Sequence, residues 1–338
     1  MIAFESQIKC WIRIFAVATL CLAPASASAQ KLFVEDSDLS TKLIDPMYVK
    51  GLRYLVKNQG PDGAWDAGRY GADPAVVGLS ALAMLAHGDD PNFGPYSASI
   101  RKALNYVLTQ QSADGMIGRT MYNHGFATLA LAEAYGMVNE QRLGPALQRA
   151  VKLILTSQAQ NPKGAWRYNP TSQDADTTVS GCQLVALLAA RNAGIAVPED
   201  AIKKGLAFFG QCQAAQGGYG YTSAAGPNAA RTAIGCLALT LSKEKGSKEY
   251  QAAFAFLDQQ PPQSHYYFYY LYYSSQAYFH HSPARWNSWN QKNIAELKLR
   301  QRPDGSWEGQ FGPTYSTAMA LLSMALNYRF LPIYERNY

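Results

Sequence analysis

A chain of 338 residues with 48% hydrophobic and 16% charged residues carries enough apolar material for an extensive core, which excludes a disordered chain. The formal charge of +6 is not gathered into a Lys/Arg stripe, so no nucleic-acid partner is expected, because phosphate neutralisation needs clustered cations. The five cysteines include no C-x-x-C pair.

The first segment reads as a secretory leader. Lys9 and Arg13 precede the apolar stretch 14–23, and Ala27-Ser28-Ala29 has the A-x-A cleavage pattern. Residues 1–29 are therefore expected to be removed, leaving a periplasmic or extracellular protein. The stretch falls short of the roughly 20 apolar residues of a membrane span. The alternative is an uncleaved anchor. Removal would leave Cys182, Cys212 and Cys236, enough for one disulfide at most. Residues 30–46 form an extension, and 47–338 one domain.

That domain reads as twelve helical segments in alternation. Residues 47–59 place Tyr48, Leu52, Leu55 and Val56 at three- and four-residue steps. Asp73-Pro74 then supplies an N-cap and a first-turn proline for a helix over 75–88. The pattern continues over 99–111, 124–136, 143–158, 176–194, 198–213, 228–243, 247–260, 265–279, 287–301 and 315–329. The first member of each pair carries charges on one face, as a helix bordering solvent does. The second is nearly uncharged and rich in Ala, Gly, Leu and Ser, so it is expected to be buried on most sides.

A short motif recurs between the members of each pair. Gln59-Gly-Pro-Asp-Gly63-Ala-Trp65 returns as Gln301-Arg-Pro-Asp-Gly305-Ser-Trp307, with copies at Gln111–Ile117, Gln160–Trp166 and Gln213–Tyr219 and a degenerate one at Gln260–Tyr266. Six copies with alternating helix types predict an all-α, α6/α6 double ring with a central cavity at the N-terminal ends of the inner helices. The glycines suit a reversal through positive φ. The Gln and Trp are suited to tying neighbouring repeats together.

The Q-x-x-D-G-x-W repeat resembles the QW motif of squalene–hopene cyclases and the repeat of protein prenyltransferase β subunits. Over residues 47–330 the chain looks most like small single-toroid bacterial squalene-cyclase-repeat proteins. This resemblance implies the toroid and, by extension, an isoprenoid ligand. Fold alone does not carry the activity, since toroids also serve polysaccharide lyases and glycosidases.

Gln173-Asp174-Ala175-Asp176-Thr177-Thr178 is similar to the D-x-D-D-T acid motif of class II terpene cyclases. The similarity makes Asp176 the proton donor and Asp174 its support, with Thr177 in place of a third Asp. Asp176 is equally suited to capping the helix that follows. Tyr266, Tyr267 and Tyr270 belong to an aromatic run whose rings could stabilise cations, stack on sugars or fill space. His124, Arg231 and Tyr315 start inner helices and are expected at the cavity rim, where they would suit an anionic or hydroxylated ligand.

The prenyltransferase zinc pattern is not met, so neither metal nor cofactor is expected. The expectation is an exported toroid binding a small, isoprenoid-like molecule, with proton-initiated cyclisation as its chemistry if it is an enzyme. The alternatives are a non-catalytic envelope module with a protein partner, and a carbohydrate-active toroid.

Overall fold

The computed structural model describes residues 41–65, 70–260 and 266–334. The expected leader, most of the expected extension, His265 and the centre of the degenerate motif copy lie outside the described residues. Twelve α-helices account for most of the rest: α1 (Thr41–Asn58), α2 (Pro74–Leu85), α3 (Ser97–Thr109), α4 (Met121–Ala134), α5 (Leu143–Gln160), α6 (Thr177–Asn192), α7 (Glu199–Cys212), α8 (Ala229–Leu241), α9 (Lys248–Asp258), α10 (Tyr267–His281), α11 (Pro283–Arg300) and α12 (Pro313–Ala325). Helix α1 starts inside the stretch expected as an extension.

The even-numbered helices contact one another in a closed cycle, α2–α4–α6–α8–α10–α12 and back to α2. The odd-numbered helices pack outside them: α5 against α4 and α6, α7 against α6 and α8, α11 against α10 and α12, and α1 against α12 and α2. This is an α6/α6 toroid. The division follows from sequence. Every residue of α2 is buried, whereas α3 buries Ile100, Ala103, Leu104 and Val107 along one stripe and exposes Arg101 and Lys102. Small residues let the inner helices approach: a Cβ on Gly181 of α6 would stand 2.0 Å from Ile234 Cγ2 of α8.

The motif turns rivet this ring. Gln59 Nε2 donates to the carbonyl of Gly63 in its own turn (2.9 Å) and to that of Ser99 in α3, the next outer helix (3.0 Å). Trp65 Nε1 donates to the Leu55 carbonyl near the C-terminus of the preceding outer helix (2.8 Å), using an acceptor the helix cannot satisfy internally. The last copy repeats both bonds. Gln301 Nε2 reaches Gly305 (3.0 Å) and Met47 of α1 (2.9 Å), and Trp307 Nε1 reaches Leu297 (2.8 Å), so one device both builds and closes the ring.

The third copy departs from the expected register. The amide that bridges to Gly164 (2.8 Å) and to Ala201 of α7 (2.8 Å) belongs to Gln158, not Gln160. Helix α5 runs on through Gln160, and the connection to Trp166 is two residues longer. Trp166 Nε1 still finds Ile154, four residues before Gln158 (2.8 Å).

No described helix is long and apolar enough to cross a membrane. Cys182, Cys212 and Cys236 are all buried free thiols.

Candidate functional site

All six inner helices present their N-termini to the same end of the ring, around a cavity of about 880 Å³. Its lining includes a residue just before or within the first turn of each inner helix: Asp73, Thr120, Thr178, Asn228, Tyr266 and Tyr315. Unpaired first-turn N–H groups make such an end electropositive. Seven tyrosines and two phenylalanines line the cavity, so its aromatic surface is mostly tipped with hydroxyls. At the floor, Phe126 of α4 meets Tyr272 of α10, with ring centroids 6.1 Å apart. At the opposite end of the ring, Ile333 N donates to Glu133 Oε2 at the end of α4 (3.1 Å), and Tyr334 is buried. The site is a blind cup.

One wall is built around Asp176. Its Oδ1 caps α6, accepting from Thr178 N (2.9 Å), Val179 N (2.8 Å) and Thr178 Oγ1 (2.6 Å). Its Oδ2 faces Arg167 Nε at 3.5 Å. Burial raises its pKa, while the hydrogen bonds and then Arg167 oppose that shift. Tyr122, which lines the cavity, donates to Thr178 Oγ1, so an oriented chain runs from the cup through two hydroxyls to the carboxylate. Burial, and then Asp176, raises the Tyr122 pKa well above the usual phenol value, which keeps that donor protonated. Arg167 also pairs with Asp174 (2.7 Å) and lies over the rings of Tyr168 and Tyr221, whose hydroxyls are 2.5 Å apart. Arg231 covers Tyr221 at 5.7 Å.

The facing wall is aromatic. Phe311 contacts Tyr70 edge-on (5.6 Å), stacks with Tyr266 (5.8 Å) and meets Tyr315 edge-on (5.2 Å). Between the walls, Asp73 caps α2 through Ala75 N (2.9 Å) and accepts from Asn123 Nδ2 on both oxygens (2.6 and 2.7 Å). Burial raises the Asp73 pKa against those hydrogen bonds.

Of the residues singled out from sequence, Arg231, Tyr266 and Tyr315 line the cup. Asp176 stands one hydroxyl behind its wall, and Asp174 is exposed at the surface, ion-paired to Arg167. His124 is not at the rim. It is buried, with Nδ1 accepting from Ile117 N (3.1 Å) and Nε2 within 3.0 Å of the Ala150 carbonyl of α5. Ser180, Thr232 and Thr317 accept the backbone N–H of Trp166, Tyr219 and Trp307 in the same way, so His124 occupies an anchoring position that faces the motif turn. Tyr270 is buried outside the cup lining, and Tyr267 lies under Arg300 of α11 (4.5 Å), at a smaller cleft of about 110 Å³.

Sequence reasoning missed Arg119, Tyr122, Asn123, Tyr168 and Tyr221, all of which line the cup, whereas Tyr269, also in the lining, belongs to the aromatic run singled out above. A signal existed for two of them: Tyr168 and Tyr221 each follow the motif aromatic, Trp166 or Tyr219, by two residues. Among the described residues, no group of three or more His, Cys, Asp or Glu is placed to hold a metal ion.

In fold the chain is similar to the α-1,6-mannanase GH76A from Salegentibacter sp. HEL1_6, at 9% identity and TM-score 0.65, over 83% of this chain and 99% of that one. It is similar to a D-mannose isomerase at 13% identity and TM-score 0.64, over 85% and 97%. It is also similar to a variant of the type II terpene cyclase MstE from Scytonema in complex with merosterolic acid A, at 15% identity and TM-score 0.57, over 86% and 98%. At these identities the likeness is one of fold. No curated protein matches the chain. The family model described as "Domain of unknown function (DUF6288)" matches residues 48–328, and the chain belongs to that family.

Proposed function

We propose that this protein is an exported, saccharide-binding toroid that receives the end of a glycan or a short oligosaccharide in its blind cup. The observation that carries the reading is the lining: tyrosine rings offer flat faces for a sugar ring, while their hydroxyls, with Asn228 and Thr120, offer hydrogen-bond partners. A hydrocarbon would leave those polar groups desolvated and unpaired, at about 1–3 kcal/mol for each hydrogen bond lost. Two of the toroids similar in fold are a mannanase and a mannose isomerase, which agrees with this ligand class.

Capture is favoured over hydrolysis. Glycoside hydrolysis uses a facing pair of carboxyl groups. Among the described residues Asp73 is the one carboxylate in the lining, and its oxygens are engaged by Asn123 and Ala75.

The isoprenoid reading implied by the QW-like repeat remains the competitor. Its support is the aromatic lining, the similarity in fold to MstE, and Asp176 as an acid with Asp174 beside it. Against it, Asp176 is committed to capping α6 one hydroxyl behind the cavity wall, and its three hydrogen bonds and Arg167 oppose the burial that raises its pKa.

The deciding experiment displays the labelled full-length chain on a glycan array, with geranylgeraniol as competitor and Tyr315→Ala as the site control. Glycan binding that is lost in Tyr315→Ala and indifferent to the competitor is expected. Retention of geranylgeraniol with no glycan bound would overturn the reading.

A further inference from the structure

Charge at the mouth of the cup carries the saccharide reading one step further. Arg167 takes both nearby acids, Asp174 at 2.7 Å and Asp176 at 3.5 Å. Arg119 and Arg231 also stand at this end, line the cavity, and have no ion pair among the described residues. The lining carboxylate Asp73 is held by Asn123 Nδ2 at 2.6 and 2.7 Å.

Arg231 is fixed in place. Its Nη2 donates to the Gly226 carbonyl (2.6 Å), its Cζ lies 5.7 Å from the centre of the Tyr221 ring, and its buried Nε has no hydrogen-bond partner among the described residues. Burial lowers the Arg231 pKa, with Tyr221 and Asp176 opposing the shift. A guanidinium partly withdrawn from water, with no carboxylate at ion-pair distance among the described residues, is an incomplete ion pair. The inner-helix N-termini add charge of the same sign. A neutral sugar would need none of this, because the tyrosine and asparagine groups already supply its hydrogen bonds.

We infer that the ligand is an acidic saccharide, with anionic groups, carboxylates or sulfate esters, set against the guanidinium of Arg231 or of Arg119 at the mouth and its hydroxyls among the tyrosines below. Both sources present oxyanions to a guanidinium, and a planar carboxylate matches its fork in two parallel bonds. The inference rests on the saccharide reading but fails separately from it.

The test is calorimetric titration of the full chain with three tetrasaccharide probes: neutral mannotetraose, tetragalacturonate and a sulfated mannotetraose, each at low and high salt. At least one acidic probe is expected to bind tenfold or more tighter than the neutral one, about what a charge-assisted hydrogen bond is worth. That preference should shrink as salt rises. Whichever acidic probe binds more tightly identifies the anion. Arg231→Met and Arg119→Met should each reduce the ratio of acidic to neutral affinity. Arg119 is exposed, so its variant tests the idea without disturbing the core, and a thermal melt checks the Arg231 variant. Equal affinity for neutral and acidic probes, or a preference that survives in both variants, overturns the anionic group and leaves the saccharide reading standing. Binding of none of the three overturns both.

Discussion

Phe126 and Tyr272 meet across the axis of the inner ring, centroids 6.1 Å apart and planes at 67°, although α4 and α10 are opposite members of the cycle. Neither side chain alone spans the axis, so the floor of the cup depends on the pair. Tyr272→Ala removes a buried aromatic and should cost about 3–5 kcal/mol in chemical denaturation. It should also deepen the cavity, which a crystal structure of the variant would show. A loss below about 1 kcal/mol would mean that the floor rests on other contacts.

The shifted motif copy gives a paired test. Gln158→Ala removes two bridging bonds, to Gly164 and to Ala201, and should cost about 1–3 kcal/mol. Gln160→Ala, at the position the sequence spacing picks out, should stay within about 0.5 kcal/mol. Equilibrium denaturation of both variants decides the register, and equal losses would count against Gln158 as the rivet.

Two glycines of the same motif should respond unequally to alanine. Gly305 has φ 97°, and a Cβ there would lie 2.3 Å from the Lys50 carbonyl oxygen of α1. Gly164 has φ 63°, and its nearest such neighbour is Lys204 Cβ at 3.4 Å. Gly305→Ala should destabilise by well over the roughly 1–2 kcal/mol of left-handed backbone strain alone, and Gly164→Ala by about that strain. Comparing their melting temperatures tests the difference.

His124 gives the fold an acid-sensitive point. Burial lowers its pKa to about 4, against about 6.5 in an unfolded chain. Above about pH 6.5 it is neutral in both states, and its contribution is present in full. As pH falls from there towards 4, the unfolded chain binds a proton that the folded one refuses, and stability drops by an amount on the order of 3 kcal/mol. Denaturant midpoints at about pH 7 and 4.5 should differ less in His124→Asn than in the wild type. An unchanged difference would mean that other groups set the acid limit.

Fold and site were legible to different depths, for a physical reason. The alternation of charged and uncharged helices forces an outer and an inner ring, because a helix without a polar face must be surrounded. The motif copies then mark the connection within each pair. Which side chains enter the cup depends on helix rotation, which composition does not report. His124 and Tyr122 are two residues apart on α4, yet one faces a motif turn and the other faces the cavity. Asp176 shows a related limit: the residue type that caps a helix is also the one that donates protons, and Arg167 beside its second oxygen could not be read from spacing.

Gln301 reaches Met47 across 254 residues, and α1 packs on α12, the last α-helix among the described residues. An open helical array can grow stepwise from either end, each unit stabilised by the one before. Here α1 waits for α12. During synthesis the emerging half-ring has two raw edges, and the N-terminal ends of its inner helices do not yet enclose a cup. The cup is therefore a property of the closed ring, and a truncation that removes α12 would cost the first repeat as surely as the last.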